Sequence, residues 1–431
     1  MGAEMLLQYL WENRLWQQCD LSTIDGRPIR VIDQGRRNTD AGPDFFNAKI
    51  IIDGKLWAGN VEIHTRASDW KRHNHHLDPA YDTIILHVVG HSDEIIYRRN
   101  GDPIPQMVLP YTPDYRARYD EMVNNPSRLP CAESLHDFSP VYLTDWLTSL
   151  GYERVYGKVD RVTALLSRLN GDWQATAYVT LARAMGFSTN SEPFERLALA
   201  SPLRPLLKHR TDPQLLEAVL YGQAGFLDNA QADDTEEQDY INRLRQDYQF
   251  MAAKYNLQKP ENLGWKMARM RPQNFPHRRI AALVAMLAAG FPLGRHISQI
   301  TDEATARALF NVQIGGYWVN HFTFGHKSPY VPRALSDESV TSLLINAVAP
   351  LMVAYGLQFG DDARLDAAIA LLQSLPAEKN SIVSIFTDAG IPCSDAFTSQ
   401  AIIQLRRNYC EQRKCLYCRI GHRILAAKAR P

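Results

Sequence analysis

The sequence predicts an α/β (α+β) N-terminal domain with a mixed sheet, followed by a larger, mainly α-helical domain. Three observations predict this. Between residues 28 and 109, short apolar runs alternate with turn residues, as strands do. From Ser139-Pro140 onward, apolar residues recur at helical spacing, beginning with an N-cap and a proline at the first helical position. Between them lies a stretch rich in Pro, Asn, Ser and Asp with no period. The expected boundaries are 1–112 for the α/β domain, 113–140 for a linker, 141–390 for the helical domain, and 391–431 for a C-terminal helical segment with a cysteine cluster.

A chain of 431 residues can bury a sizeable core, and 45% apolar with 22% charged residues is ordinary for a globular protein. The formal net charge is zero, so a nucleic-acid partner would have to be met by a local basic patch. Six cysteines in this length do not make a secreted disulfide scaffold. Glu4, Gln8 and Glu12 interrupt the N-terminal apolar residues, so no signal peptide is expected. No uninterrupted apolar run is long enough to span a bilayer. A cytoplasmic location and no membrane partner are expected.

In chain order, Leu6, Leu7, Leu10, Trp11 and Leu15 predict an amphipathic helix over Glu4–Gln17, with Glu12 pointing at a site or at solvent. A short strand is predicted over Arg30–Gln34. A turn-rich loop (Asp40, Gly42, Pro43) then delivers Asp44 to the apolar run Phe45–Ile52. Asp53-Gly54 is a two-residue hairpin signal, and Leu56–Thr65 is the return strand. Side chains alternate along a strand, so Glu62 and His64 share a face and Val61 and Ile63 the other. The hairpin can bring Asp44 beside them, making two carboxylates and an imidazole a candidate hard-metal site. A structural role is the alternative: Asp44 caps a turn, and Glu62 pairs with Arg66 or Arg36. Beyond Trp70 comes a polar short helix or ordered loop. Thr83–Val89 is predicted as a buried central strand, with further strands over Glu94–Arg98 and Gln106–Leu109.

Six of the 13 histidines (His64, His73, His75, His76, His87 and His91) fall between Glu62 and His91. Histidine is a metal ligand and titrates near neutral pH, so this concentration is a second functional signal. For His87, inside an apolar strand, a hydrogen-bonded core histidine is the competing reading.

Two resemblances arise from these residues. The segments N-x-D-A-G-P-D-F-x-N-A-K, G-N-V-E-I-H, D-W-x-x-H-x-H and I-L-H-V-V resemble an uncharacterised bacterial family known as a domain of unknown function. So do R-P-Q-N-F-P-H-R-R-I, G-Q-A-G-F-L and Y-C-x-x-x-x-C-L-Y-C. That similarity covers most of the chain and implies no activity. The second covers only the first ~100 residues. Pro43-Asp44 and Glu62-Ile63-His64 resemble the P-D and (D/E)-x-K of the PD-(D/E)xK nuclease superfamily, with His64 in place of the lysine. The resemblance implies that Asp44, Glu62 and the Ile63 carbonyl hold Mg or Mn, and that His64 orients or deprotonates water.

In the helical part, Val141–Leu169, Trp173–Met185, Pro213–Leu220, Glu236–Lys254, Arg278–Ala289, Ser336–Gly356 and Asp361–Leu375 are helical by pattern. Arg269, Arg271, Arg278 and Arg279 make a basic, proline-bent segment. It suits phosphate binding or, equally, pinning a loop to helix ends. Gly315–His326 is aromatic and reads as a buried cluster more than a base-stacking surface. At the C-terminus Cys410, Cys415 and Cys418 have metal-ligand spacing. Cys393 or His422 is the expected fourth ligand, for zinc or, with Cys393, an iron–sulfur cluster. Cys19 and Cys131 stand alone in the sequence.

The expected function is a metal-dependent nuclease using Asp44, Glu62 and His64, with the arginine segment holding nucleic acid. The alternatives are a non-catalytic binding or scaffold protein with a structural metal site, and a metal-dependent hydrolase that uses the histidines directly. The last requires two or more of His64, His73, His75, His76 and His87 to converge.

Overall fold

A computed structural model describes residues 2–16, 20–38, 40–111, 113–291 and 293–426. The chain divides into two units, Met1–Leu143 with Arg406–Pro431, and Thr144–Leu405. The first holds a mixed sheet and the second is helical, as expected.

The first unit begins with helix α1 (Gly2–Glu12). It is shorter than the apolar pattern predicts because Arg14 turns left-handed at φ 53, and Leu15 N–H donates to the Leu10 carbonyl at 2.8 Å. This pair of features is a Schellman stop. Strands β1 (Leu21–Ser22), β2 (Pro28–Asp33), β3 (Arg36–Arg37), β4 (Phe45–Ile52), β5 (Lys55–Arg66), β6 (Ile84–His91) and β7 (Gln106–Val108) follow. They form one sheet in the order β1-β2-β4-β5-β6-β7, with β3 also on β4. Pairing is antiparallel up to β4–β5 and parallel for β5–β6 and β6–β7.

The β4–β5 hairpin turns on Asp53 (φ 50) and Gly54 (φ 74), the two positive-φ positions of a type I′ turn. From that turn Ile52 pairs with Lys55 and Ala48 with Gly59. Continued unchanged, this register would set Asp44 level with Ile63. It does not continue: Asn47 adopts φ 58, its N–H is taken by the Asn60 side chain at 3.1 Å, and Phe45 pairs with Val61. This β-bulge moves Asp44 level with Glu62, and so onto the same face.

Both faces of the sheet centre are covered. Leu6, Leu7, Leu10 and Trp11 of α1 share a core with Val61, Ile63, Leu86 and Val88. On the opposite face Trp70, Tyr81, Ile84, Ile96 and Ile104 form a smaller apolar cluster. Trp70 lies in the short helix α2 (Asp69–Arg72), which is followed by one-turn helices His75–Leu77 and Pro79–Tyr81.

Two expected features differ. Glu94–Arg98 is not a strand but a short irregular pairing: the bridge Tyr97–Pro103 is flanked by Arg98 N–H to the Asp102 carbonyl at 2.8 Å and Ile104 N–H to the Ile96 carbonyl at 3.0 Å. On its other edge the Gln106 side chain stands in for a strand, accepting from Ile96 N–H and donating to the Glu94 carbonyl, both at 3.0 Å. The expected linker contains helix α3 (Pro113–Asn124), which buries Tyr119 and Met122 in the first core. Its i,i+4 pairs Arg116–Asp120 and Asp114–Arg118 support a segment whose composition reads as loop.

The chain leaves the first unit within helix Pro140–Arg168. In the second unit Trp173–Met185, Pro213–Gln223, Thr235–Tyr255 and Pro276–Ala288 match the predicted helices to within a few residues. Asp172, Asp212, Asp234 and Asp361 cap helix N-termini through their carboxylates. The helical run Asp337–Phe359 is long and apolar enough to span a bilayer, with mean hydropathy 1.7, but 72% of that stretch is buried. Leu343, Leu344, Val348, Leu351 and Met352 place it in the core of the helical unit.

Candidate functional site

Glu62 of β5 lies at the centre of a buried polar group. Its Oε2 accepts from the Asp44 backbone N–H at 3.1 Å. Its Oε1 lies 3.3 Å from His75 Nε2 and 3.6 Å from His64 Nε2. Asp44 is held by donors on both oxygens, from Gln8 Nε2 at 2.8 Å and Ile63 N–H at 3.0 Å. Neither the turn-capping role for Asp44 nor the Arg36 or Arg66 partner for Glu62 describes these contacts.

The imidazoles meet at the same place. His64 Nε2 is 3.2 Å from His73 Nδ1. The ligand atoms of His64, His73 and His75 all lie within 4.8 Å of one another. Two nitrogens that close match what a single metal at about 2.0–2.1 Å from each would bring together. His64 is buried, His75 is half-buried and stacks on Tyr81 at 3.8 Å, and His73 is exposed, so the group opens to solvent at His73.

Each residue is placed by a local feature. Strand alternation puts Glu62 and His64 on one face, and parallel pairing sets His87 of β6 level with Glu62. His64 Nδ1 and His87 Nε2 are 2.8 Å apart. With the proton on His64 Nδ1 and the acceptor on His87, the His64 Nε2 lone pair faces His73 and Glu62. His73 is the C-cap of α2, and His75 opens the turn after Asn74, which takes φ 62.

The electrostatics suit a cation. Burial pushes Asp44 up to about 7, with the Glu62 charge adding to it, and pushes Glu62 up to about 8. Burial drives His64 down to about 2 and His87 to about 3, with neighbouring imidazoles adding to the fall. Burial lowers His75 as well. Two reluctant carboxylates beside neutral imidazoles form a donor set that one divalent ion would satisfy at once. Three nitrogens and a carboxylate oxygen suit zinc, manganese or iron better than magnesium, which prefers an all-oxygen shell.

Asp44, Glu62 and His64, the three residues singled out as catalytic, are together. His73 and His75 join them, and His87 orients His64 from behind. Gln8 was missed: it lies one helical turn before Glu12, on the face towards Asp44, whereas Glu12 pairs with Arg37 at 3.4 Å. The arginine segment lies in the other unit. Arg278 donates to the carbonyls of Trp318 and Pro332, and Arg279 to Asn274 and Ser339. These two arginines are buried and hold the loops of their own unit, where they also line a cavity of about 410 Å³. Arg269, at φ 62, and Arg271 are exposed. The aromatic stretch is a buried cluster, with Trp318 stacked on Tyr221 at 4.7 Å.

The cysteines are distributed differently from expectation. Cys393 belongs to the helical unit, where burial, Asp395 and Glu378 hold its thiol up at about 11. Cys410, Cys415 and Cys418 belong to the first unit, together with Cys131. His422 is engaged by the Tyr9 hydroxyl at 2.6 Å. Cys19 lies outside the described residues.

With this geometry, the model of the family described as "Protein of unknown function (DUF2851)" matches residues 4–381. The chain belongs to that family. No curated protein and no solved structure matches it. The family match contains every residue of the imidazole and carboxylate group and ends before Cys410.

Proposed function

We propose that this DUF2851 protein is a metal-dependent phosphodiester hydrolase of the nuclease kind, with its metal held by Glu62, His64, His73 and His75. The observation that carries the reading is the position of Glu62 Oε1 between His64 and His75, with His73 closing the group. Asp44 stands beside this set, with Gln8 and the Ile63 N–H fixing its orientation. Held by these residues, a divalent ion would supply Lewis acidity towards a phosphate oxygen and would lower the pKa of a water. The chain's own contribution is to exclude water on the sheet side, keep the His64 lone pair aimed outward through His87, and leave an opening at His73. The order of P-D, hairpin and E-x-H supports the phosphodiester substrate by resemblance to the PD-(D/E)xK superfamily. The imidazole-rich donor set supports Mn²⁺ or Zn²⁺ rather than Mg²⁺.

The test pairs a binding and a cleavage measurement. Calorimetry of metal-free protein with Mn²⁺ and Zn²⁺ should give one tight site, weakened in Glu62→Gln and in His73→Ala, whose side chain is exposed. With Mn²⁺, cleavage of single-stranded and duplex DNA, RNA and an activated phosphodiester should fall by about 100-fold or more in both variants and in Asp44→Asn. Metal binding at this site with no cleavage of any phosphodiester would defeat the hydrolase reading.

A further inference from the structure

Four cysteines gather in the first unit, none of them a member of the imidazole group. Cys131 precedes the short helix Ala132–Asp137, and Cys410 closes the wide-turn helix Leu405–Cys410. Cys415 and Cys418 flank one tight turn, with Cys418 N–H donating to the Cys415 carbonyl at 3.3 Å. Cys131 is remote in sequence from the other three, and specific contacts bring them together. Arg406 donates to the Arg128 carbonyl, and Arg413 to the Asn125 carbonyl at 3.1 Å, so the C-terminal segment grips the chain just before Cys131. Arg413 also takes φ 53, which folds the loop between Cys410 and Cys415 back on itself. Gly421 permits the closest approach: a Cβ there would stand 2.1 Å from the Cys415 carbonyl oxygen, so only glycine lets helix Arg419–Ala426 lie on the cysteine turn.

The four sulfurs form one group. Every pair among them is close enough for charge on one to oppose ionisation of the other. None is in a disulfide. Burial holds the Cys131 thiol up at about 12 and Cys415 at about 11, while Arg406 eases Cys410 and Arg413 eases Cys415. Buried cysteine often serves as a small apolar filler. Filling does not require four thiols from two remote segments, three of them at C-x₄-C-x₂-C spacing, to gather in one neighbourhood.

We propose that Cys131, Cys410, Cys415 and Cys418 are the ligands of a four-thiolate metal centre that clips the C-terminal segment to the α/β unit. Among the described residues, no three of these sulfurs lie within 4.8 Å of one another, whereas the three imidazole ligand atoms do. A single zinc at about 2.3 Å from each sulfur would draw them to under about 4 Å. An iron–sulfur cluster, with each thiolate on a different iron, holds them farther apart. A cluster therefore asks less inward movement of these side chains than zinc does. In either case binding releases the thiol protons and ties two remote segments together, so the metal contributes to folding. No residue of the imidazole site is a ligand of this centre, so either site can be occupied without the other.

The experiment uses the full chain purified without oxygen, in wild type and in His73→Ala to silence the imidazole site. Iron, acid-labile sulfide, zinc and visible absorption are measured. The expected result is about four iron and four sulfide per chain with charge-transfer absorption; one zinc per chain in the His73→Ala protein would support the same centre with a different occupant. Cys131→Ser should lose most of that metal and Cys393→Ser should keep it. If Cys131→Ser fails to fold, alkylation of the wild type decides: Cys131, Cys410, Cys415 and Cys418 should be protected until a chelator is added. A metal-free wild type whose four thiols alkylate equally with and without chelator would overturn the proposal, as would metal that depends on Cys393 and not on Cys131.

Discussion

His87 illustrates how a residue that touches no substrate can govern a site. It is fully buried in an apolar strand, and its Nε2 faces His64 Nδ1 at 2.8 Å. Where that His87 nitrogen accepts a hydrogen bond from His64 Nδ1–H, the other nitrogen of His64 presents its lone pair to Glu62 and His73. Outer partners of this kind are worth about 10–100-fold in metal affinity. His87→Phe, of similar shape but with no acceptor, should weaken Mn²⁺ binding by that order, and His87→Gln should recover part of it. Equal affinity in wild type and His87→Phe would show that His87 is only core packing. Arg278 and Arg279 make the converse point. Arginines that look like a phosphate cradle in sequence can be committed to carbonyls of their own unit, because a guanidinium fork fits a loop carbonyl as well as a phosphate oxygen.

At the scale of elements, the site depends on one extra residue in β4. Asn47, exposed and in left-handed conformation, inserts the bulge that brings Asp44 level with Glu62. Side chains alternate with period two, so removing the bulge would turn Asp44 to the other face of the sheet. Glycine and asparagine tolerate φ near +58, and β-branched residues do not. Asn47→Gly should keep metal binding and cleavage near wild type. Asn47→Val should reduce both by at least about tenfold while far-UV circular dichroism still reports the sheet, since a strained bulge costs about 1–3 kcal/mol or re-registers. Unchanged metal binding in Asn47→Val would show that the register does not depend on this position.

The whole molecule should carry the site's protons in its stability. In the metal-free protein Asp44 and Glu62 are raised to about 7 and about 8, against about 4 when unfolded. Their contribution is full below the unfolded value and is lost as pH rises through the folded ones, because the folded state then holds protons that the unfolded state has released. His64 and His87 are depressed, so their effect has the opposite sign: it is present above about 6.5 and lost as pH falls below it. From about pH 6.5 to 8 raised carboxylates dominate. Burial also raises Glu217 of the helical unit to about 7, so the part of the trend that Glu62→Gln removes is the part that belongs to this site. Melting temperature in chelator should fall across this window. With saturating Mn²⁺ the trend should flatten or reverse, because the ion binds the deprotonated form and stabilises by mass action. A metal-free melting temperature that rises through this window would mean that Asp44 and Glu62 are already ionised in the fold.

The sequence by itself determined the architecture and the ingredients of the site. The Asp53-Gly54 turn, the strand alternation at Glu62 and His64, and the helical periods after Pro140 are local signals, and their elements appear within a few residues of where the pattern puts them. The histidine concentration also pointed to His73 and His75 before any geometry was known. The Pro, Asn and Asp of segment 113–140 suggest a loop, whereas burial of Tyr119 and Met122 stabilises a helix over Pro113–Asn124. Three matters were settled only in three dimensions. Asp44 faces Glu62 through a bulge that no apolar pattern encodes. Gln8 reaches Asp44 because α1 crosses the sheet. Cys131, rather than Cys393, stands with Cys410, Cys415 and Cys418. In each case the partners are remote in sequence. Propensity and periodicity fix which residues share a face of one element, while packing between elements decides which faces meet.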